Sequence, residues 1–530
     1  MNAHNLTLLL GQEANYQQNR FETGTCANLL NTGIDSRYIQ DALCDPTTKN
    51  VASTGFKSSL LSFFGKADYN YGDRFYASLT VRRDGSSRLG PENRWATFPA
   101  VGLGWRLSRE SFLSNSSLFS NIMLRFGWGV TGNQNIPAGR IVSQFGGDRS
   151  DTFYAIGGTG GSIVPGFKTT AIGNADLKWE EQNSINVGLD LEFFGGRGTL
   201  TTDVYNRKVD NLLFDPRQPA TAGSASPPIV NIGSMENKGI DFSLGYRGQM
   251  GSGTLWSVTF NGSHYGNKIV QIDGVRESFQ GPISIREQNP VINMLGEPIG
   301  SFYGLVAEGY YMDSADAAPH FASGARPGRL KFRDINNDGQ ITAADRDIIG
   351  SPHPDFTAGL DLSVRRGSWE ISATVFGTFG NEIFNSQKYW YVFRYFDTNV
   401  RSDLLANAVV LNAQNQVTNP GAKYPRIDGS DVFSRQFSSY WVEDGSYVRL
   451  RTLQIGYNLP PALIRWIPAA RVYLQGENLF TITGYSGLDP SLPAASVFGA
   501  AGDIRDQFRG VDQGTYPSSR VITIGITTTF

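Results

Sequence analysis

The last eleven residues, RVITIGITTTF at Arg520–Phe530, alternate between two kinds of side chain. Ile522, Ile524, Ile526 and Phe530 fall on one face of an extended chain, and small or hydroxylated side chains fall mostly on the other. About ten residues is the length of a tilted β-strand that crosses a membrane, with lipid on one side and a polar lumen on the other. Taken alone, the segment fits either such a strand or the edge of a soluble β-sandwich.

The same period-two alternation recurs along the whole chain. With the final segment it predicts about fourteen strands, which begin near Leu6, Leu61, Phe75, Val101, Leu124, Ile185, Leu200, Ile240, Trp256, Phe356, Trp369, Leu453, Val472 and Arg520. Short links between them alternate with long ones near 132–182, 210–237, 380–440 and 481–518. Outer-membrane barrels show this asymmetry, because their periplasmic turns are short and their external loops are long.

Charged residues in these segments are confined to the faces opposite the apolar ones: Arg82, Arg106, Arg125, Asp190, Glu192, Asp241 and Asp361. An arginine near the lipid midplane costs about 2–4 kcal/mol, whereas in a water-filled lumen it costs little. No apolar run approaches the roughly 18 residues of a membrane helix. We therefore predict an all-β, antiparallel transmembrane β-barrel, with residues 312–355 in an external loop and Ile299–Tyr311 in that loop rather than in a membrane strand.

Composition excludes several classes of function. A net charge of −2 gives no electrostatic basis for nucleic-acid binding. The four histidines are scattered, and no nucleophile, Walker or zinc spacing stands out, so we predict that the chain is not an enzyme. The first ten residues lack the features of a signal peptide, although an outer-membrane protein must be exported. Cys26 and Cys44 flank a loop-like segment and fit either a disulfide or two thiols.

The sharpest local motif is DINNDGQITAAD at 334–345, which follows the spacing of a calcium-binding loop. The candidate ligands, with the Gln340 oxygen coming from the backbone, are Asp334, Asn336, Asp338, Gln340 and Asp345. Position 12 is an aspartate rather than a glutamate, and flanking helices are not evident. The alternative is an Asn/Asp/Gly turn that satisfies its own hydrogen bonds.

Two other segments are candidates for substrate or partner contact. RDGSSR at 83–88 follows a strand that runs towards the exterior, and it fits either a substrate contact or a structural turn with an Arg–Asp pair. YWYVFRYF at 389–396 is rich in aromatic side chains. Such side chains stack on sugar rings, cover a partner protein or fill the core of a loop.

A collinear set of phrases resembles the SusC/RagA family of TonB-linked outer-membrane proteins. They are SFFGKADYNY (62–71), FYAS (75–78), RRDGSSRLG (82–90), FPA (98–100), WRLS (105–108), GVTGNQ (129–134), LKWE (177–180), NVGLD (186–190), GSMENKGI (233–240) and NLF (478–480). The resemblance implies a barrel of about 22 strands with a plugged lumen, a SusD-like lipoprotein partner, TonB coupling, and import of oligosaccharides or peptides across the outer membrane.

The chain departs from that pattern at its start, where neither a plug nor a TonB-interacting segment is recognisable. We expect the chain to be the C-terminal part of such a transporter and to contain about fourteen of its strands. The interaction with TonB would then be made by the missing N-terminal part. The alternative is a secreted or surface-attached β-rich protein that binds glycans with a calcium-stabilised loop. The partner of the final strand is left open between an upstream strand, the segment Leu6–Leu10 and an unpaired edge.

Overall fold

The computed structural model describes residues 3–28, 33, 45–113, 116–147, 151–156, 162–214, 223–251, 253–273, 276–281, 285, 288–393, 399–460, 469–492 and 509–529. Its dominant element is one antiparallel sheet of 14 strands. The strands are β1 His4–Thr25, β2 Asn50–Tyr71, β3 Phe75–Ser86, β4 Trp95–Arg106, β5 Phe119–Asn133, β6 Glu180–Phe193, β7 Gly198–Asp210, β8 Ser234–Met250, β9 Thr254–Gln271, β10 Phe356–Arg366, β11 Trp369–Phe379, β12 Tyr447–Asn458, β13 Ala469–Thr483 and β14 Val521–Thr529. The predicted strand count is confirmed.

Each strand pairs with its neighbours in sequence, so the sheet is a continuous meander from β1 to β14. Leu6–Leu10 pairs with β2, and among the described residues β14 pairs only with β13. The first two strands are longer than predicted: β1 runs to Thr25, which faces Asn50 at the start of β2. Phe530 lies outside the described residues.

The two faces of the sheet differ in chemistry. The outward face carries exposed apolar side chains, among them Leu79, Leu103, Phe126, Val187, Val204, Leu244, Leu362, Leu474 and Ile524. Aromatic rings pack together next to the short turns, as in the pair Tyr246–Trp256, whose ring centroids are 5.5 Å apart. Barrels place such rings at the membrane interface. The outward face therefore has the chemistry of a lipid-facing wall.

Long connections leave one edge of the sheet, and short turns such as 72–74, 194–197 and 367–368 leave the other. The long connections contain short strands in separate sheets: Gln144–Gly146 with Lys168–Ala171; Tyr154–Ile156 with Ser162–Val164; Leu213–Phe214 with Val230–Asn231; Ser278–Gln280, Val291–Met294, Ser301–Leu305 and Arg346–Gly350; Ala307–Tyr310 with Leu330–Phe332; and Glu382–Asn385, Val442–Asp444 and Val511–Asp512. As predicted, Ile299–Tyr311 lies in a long loop and adds no strand to the large sheet.

Within the described ranges, helical structure is limited to single turns in the connections. The α-helices are α1 Ser314–Ala317, α2 Lys388–Tyr391 and α3 Leu404–Asn407, and 3-10 turns lie at Pro46–Thr48, Pro91–Asn93, Leu107–Arg109, Ala318–His320, Ala343–Asp345 and Ser439–Trp441. Across the described ranges, no helix has both the length and the hydropathy needed to cross a membrane.

The largest buried core lies in the long connections rather than in the sheet. The loops between β9 and β10, between β11 and β12 and between β13 and β14 pack around Phe302, Phe332, Phe384 and Trp441, each at most 1% exposed. We call this unit the loop module. A second, smaller cluster joins the earlier long loops through Leu89, Leu177 and Trp179. Both cores lie on the side of the long loops.

Candidate functional site: the inner wall and the loop module

The inner face of the sheet carries a charged cluster that spans three strands. The Arg125 guanidinium on β5 donates to both carboxylate oxygens of Asp190 on β6, at 2.7 and 3.1 Å. It also donates to both oxygens of Asp203 on β7, each at 3.0 Å. Two bidentate pairs fix the geometry of all three side chains. The sequence predicted that Arg125 and Asp190 share a face but did not predict their pairing.

A glycine creates the space for this cluster. Gly188 lies between Arg125 and Asp203 in the strand register. A Cβ atom at this position would lie 2.6 Å from Arg125 Cζ and 2.6 Å from Asp203 Oδ1. The missing side chain therefore lets the guanidinium cross β6 to reach the aspartate on β7.

A second inward-facing region is rich in oxygen atoms. Asp241 accepts a hydrogen bond from Ser263 Oγ at 2.5 Å, and Asp361 accepts one from Thr374 Oγ1 at 2.7 Å. Both aspartates line a concave cavity of about 480 Å³, where Arg451 lies over the Phe376 ring at 3.9 Å from its centroid. Carboxylates, hydroxyls and a stacked cation can hydrogen-bond to polyhydroxylated or amide ligands. The cavity is the candidate ligand-facing region of the wall.

The segment at 83–88 is held by structural contacts. Asp84 pairs with Arg82 at 2.8 Å rather than with Arg83, and Arg82 also reaches Glu13 on β1 at 2.9 Å. Arg88 donates to the backbone oxygen of Ile136 at 3.1 Å. These contacts tie β1, β3 and the loop after β5 together, and they favour the structural interpretation of the segment.

The aromatic segment at 389–396 contributes mainly to the core of the loop module. Tyr389 and Phe393 are each 5% exposed and pack on Trp441, with ring centroids 6.3 and 5.3 Å from it. Trp390 is 41% exposed. Residues 394–398 lie outside the described residues. Tyr389 and Phe393 therefore support the interpretation that the segment fills the core of a loop, whereas the Trp390 ring is exposed.

A buried ion pair, which the sequence did not reveal, joins two parts of the loop module. Lys388 Nζ lies 2.8 Å from Glu443 Oε1 and donates to the Tyr440 backbone oxygen at 2.6 Å. Burial lowers the pKa of Lys388, although Glu443 opposes this effect. Burial raises the pKa of Glu443, but Lys388 and Ser486 outweigh it and the pKa lies below its ordinary value. Each charge therefore offsets part of the cost of burying the other.

A second buried pair anchors the last long loop to the wall. Arg449 on β12 donates to Asp489 at 2.5 Å, and the two side chains are 7% and 9% exposed. Burial opposes ionisation of Asp489, but the backbone N–H groups of Ser518 and Ser491 and the guanidinium lower its pKa to about 2. The loop that leads into β14 is thus fixed at its base by a fully hydrogen-bonded charge pair.

The predicted calcium ligands form a compact turn with a dense set of hydrogen bonds. Asp334 accepts backbone N–H groups from Gly339 at 2.8 Å and Asp338 at 3.3 Å. Burial raises its pKa, but these groups and the Asn337 N–H hold it below the ordinary value. Asp345 is fully buried and accepts the N–H groups of Ile335 at 3.0 Å and Thr342 at 2.8 Å.

The remaining predicted ligands lie on the exposed part of the same turn. Asn336 Nδ2 donates to Asp338 Oδ2 at 3.0 Å, and the Gln340 N–H donates to Asp338 Oδ1 at 2.8 Å. Over the residues that the structure describes, no group of three or more His, Cys, Asp or Glu side chains is arranged to hold a metal. The turn is satisfied by its own N–H groups, and calcium binding at 334–345 stays a prediction.

Calcium binding by this turn has a direct test. Titration of the purified protein with Ca²⁺ is expected to give saturable heat with a Kd of about 0.1–1 mM, the range of extracellular calcium modules. The heat should disappear in Asp338→Ala, which removes a side-chain oxygen ligand, and persist in Asp347→Ala, which removes an exposed carboxylate outside the motif. If the unmodified protein gives no heat of Ca²⁺ binding, the segment is a turn whose polar groups hydrogen-bond to one another and which does not bind calcium.

Residues 2–479 match the family model described as TonB dependent receptor-like, beta-barrel. The match covers nine-tenths of the chain. This chain belongs to that family. The large sheet and its alternating faces are thus a TonB-dependent receptor barrel wall, and the predicted resemblance, barrel class and outer-membrane location are confirmed. Members of this family are receptors and transporters rather than enzymes.

Individual relatives agree with the family assignment. TonB-dependent receptor P3 of Formosa agariphila is 31% identical over 534 residues, which cover 100% of this chain and 51% of the relative. TonB-dependent receptor SusC of Bacteroides thetaiotaomicron is 28% identical over 538 residues, which cover 98% of this chain and 48% of the relative. This chain therefore spans about half the length of the curated relatives that it matches.

The fold is similar to that of a solved transporter. The structure of the RagAB peptide transporter aligns with a TM-score of 0.79 and 24% identity, over 100% of this chain and 53% of the solved chain. The likeness supports the arrangement of strands and loops in the barrel wall. The chain accordingly has the fold of part of a TonB-dependent receptor barrel.

Proposed function

We propose that this chain forms part of the wall of an outer-membrane importer that takes up oligosaccharides or peptides. The observation that carries the proposal is the difference between the two faces of one sheet. Val204 faces outward and is 54% exposed, whereas Asp203, the preceding residue, faces inward and binds Arg125. A wall with lipid outside and hydrogen-bonding groups inside is what passage of a polar solute requires.

The substrate class follows from the inner wall and from the relatives. The cavity that contains Asp241 and Asp361 offers carboxylates, hydroxyls and the Asn261 amide, and Phe242 and Phe376 also line it. Sugars and peptide backbones are ligands that such groups bind. One solved relative is named a peptide transporter, and SusC is another relative, so we propose both substrate classes as candidates.

The proposed partners are a SusD-like surface lipoprotein and the TonB system. The loop module is a packed unit on the external side and gives a lipoprotein an ordered surface to contact. The secreted alternative is not proposed, because an outward wall with exposed Leu79, Val187 and Val204 needs lipid to cover it.

Uptake in cells separates the two substrate classes. Deleting the gene is expected to abolish uptake of either a labelled oligosaccharide mixture or a labelled peptide mixture, but not of both, and restoring the gene should restore uptake. Co-purification of a surface lipoprotein with the tagged protein would identify the partner. Equal uptake of both mixtures with and without the gene would contradict the proposed import function.

A further inference from the structure

Three segments that connect the barrel wall to the loop module meet at one place, which we call the junction. Residues 351–355 lead from the module into β10, residues 380–382 lead out of β11, and residues 444–446 lead into β12. Backbone hydrogen bonds join the segments and the end of β11: Asp355 N–H to Phe379 O at 2.9 Å, Glu382 N–H to Ser351 O at 2.9 Å and Gly445 N–H to Asn381 O at 2.8 Å. A change at the junction therefore acts on the attachment of the module to the wall.

Two carboxylates are packed closely against the backbone of the junction. A Cβ atom at Gly350 would overlap with the Glu382 carboxylate, and a Cβ atom at Gly380 would overlap with the Asp355 carboxylate. Glycine at these two positions thus leaves the space that the acids occupy. The packing holds both acids in the narrow region where the three segments meet.

The half-buried Glu382 side chain faces other acids. Its Oε2 accepts the Ser351 N–H at 2.7 Å. Glu382 and Asp444 are register partners in a short strand pair of the loop module, and like charges that lie directly opposite each other in a strand pair are destabilising. Burial raises the pKa of Glu382 above its ordinary value, the Ser351 N–H opposes the rise, and Asp444 and Asp355 add to it.

The other charged or titratable groups on the elements around the junction contact different partners. These contacts are Glu443 with Lys388 Nζ at 2.8 Å, His353 with the Ile299 backbone oxygen at 2.8 Å, His264 with the Asp355 backbone oxygen at 2.5 Å, Arg509 with the Tyr265 hydroxyl at 3.3 Å, Asp512 with the Tyr485 hydroxyl at 2.6 Å and Arg449 with Asp489 at 2.5 Å. Over the described part of the chain, neither lysine nor arginine forms an ion pair with Glu382, Asp355 or Asp444. An ionised Glu382 is therefore opposed by two acids.

We propose that the junction is a proton-sensitive hinge, held closed when Glu382 is protonated and loosened when Glu382 is ionised. The neutral side chain keeps its hydrogen bond from Ser351 and does not repel Asp444. The ionised side chain adds a half-buried charge and a repulsion across the strand pair, and both favour separation of the segments. Proton release then lets the loop module move more readily at its attachment to the wall.

The direction of the pH dependence follows from the raised pKa of Glu382. The stabilisation of the closed junction is fully present below the ordinary glutamate pKa of 4.5 and is lost as the pH rises through the higher pKa of the folded state. Between these two values the equilibrium constant for local opening increases by up to about tenfold per pH unit, and above the folded pKa it levels off.

Amide hydrogen exchange of the purified protein in lipid vesicles, corrected for the intrinsic pH dependence of exchange, tests this inference. The opening constant is measured at Phe384 and Gly445, whose N–H groups donate to Gly510 O and Asn381 O. It is expected to be at least about threefold larger at about pH 7.5 than at about pH 4.5. Glu382→Gln, which keeps an acceptor for the Ser351 N–H without the charge, should remove most of this difference and give the smaller opening constant at both pH values.

The control variant is Glu308→Gln, which removes an exposed carboxylate of the same module that pairs with Arg333 at 2.6 Å. It should keep the pH dependence of the unmodified protein, whereas Asp444→Asn should reduce it. Two results would overturn the inference. One is an opening constant of the unmodified protein that is equal at the two pH values, and the other is an unchanged pH dependence in Glu382→Gln, which would assign the effect to His264 and His353.

Discussion

Replacing Thr202 by arginine is expected to lower the free energy of unfolding in a bilayer by about 2–4 kcal/mol. Thr202 on β7 faces outward between Leu189 and Phe242, its register partners on the adjacent strands. An arginine there has lipid hydrocarbon around it, and its guanidinium finds neither water nor a carboxylate. Denaturant titration of the protein in lipid vesicles, followed by tryptophan fluorescence, measures the effect.

The matched control is Thr201→Arg, the same substitution one residue earlier. Thr201 faces inward between Asp190 and Ser243 and lines the cavity of the inner wall. An arginine here is hydrated and close to a carboxylate, so the free energy of unfolding should change by no more than about 0.5 kcal/mol. Equal losses in the two variants would contradict the assignment of lipid and lumen to the two faces.

Replacing Trp441 by alanine is expected to destabilise the loop module by about 3–5 kcal/mol. The Trp441 side chain is fully buried, and its ring stacks on Phe384 at 6.0 Å and packs edge-on against Phe437 at 5.2 Å. The substitution leaves a cavity in the centre of the module and removes the donor to the Gln436 backbone oxygen at 2.9 Å. Amide hydrogen exchange over Ser301–Leu305 reports the stability of this core.

Trp390→Ala is the control for this substitution, because Trp390 lies on the same module but is 41% exposed. Removal of the Trp390 ring should change the free energy of opening, measured by amide exchange at Ser301–Leu305, by less than about 1 kcal/mol. Exchange in β6 and β7 of the barrel wall should stay unchanged in both variants. Similar effects of Trp441→Ala and Trp390→Ala would show that the module is not organised around Trp441.

The membrane strands could be predicted from the sequence because lipid and lumen impose opposite chemistry on neighbouring residues. Every predicted strand is present in the structure. In β14, for example, the apolar Ile522 and the hydroxylated Thr523 are neighbours on opposite faces. The ends of the strands were harder to predict. Residues 12–25 of β1 are mostly polar on both faces, so the alternation fades although the strand continues in register with β2.

The contacts of the site depend on register and on distant parts of the chain, which a period-two pattern does not encode. Arg125 reaches Asp203 across Gly188 only because β5, β6 and β7 are aligned as they are. Lys388 and Glu443 are far apart in sequence and meet through the packing of the loop module. Of the two cysteines, Cys26 is disulfide-bonded, and Cys44 lies outside the described residues.

One face of the sheet contacts lipid and the other a polar lumen, and β14 offers the most direct measurement of this division. Nitroxide labels are placed singly at 521–524 and 526–528, and their collision rates with oxygen and with a water-soluble nickel complex are measured by electron paramagnetic resonance. Gly525 is omitted, because an added Cβ would lie 2.3 Å from the Tyr473 ring.

Oxygen collisions should peak at Ile522, Ile524 and Ile526, and nickel collisions should peak at Thr523 and Thr527, out of phase with the oxygen pattern. This result follows from period-two alternation between lipid and water. Collision rates that rise and fall together along the strand, or that show no alternation, would contradict a membrane-spanning wall.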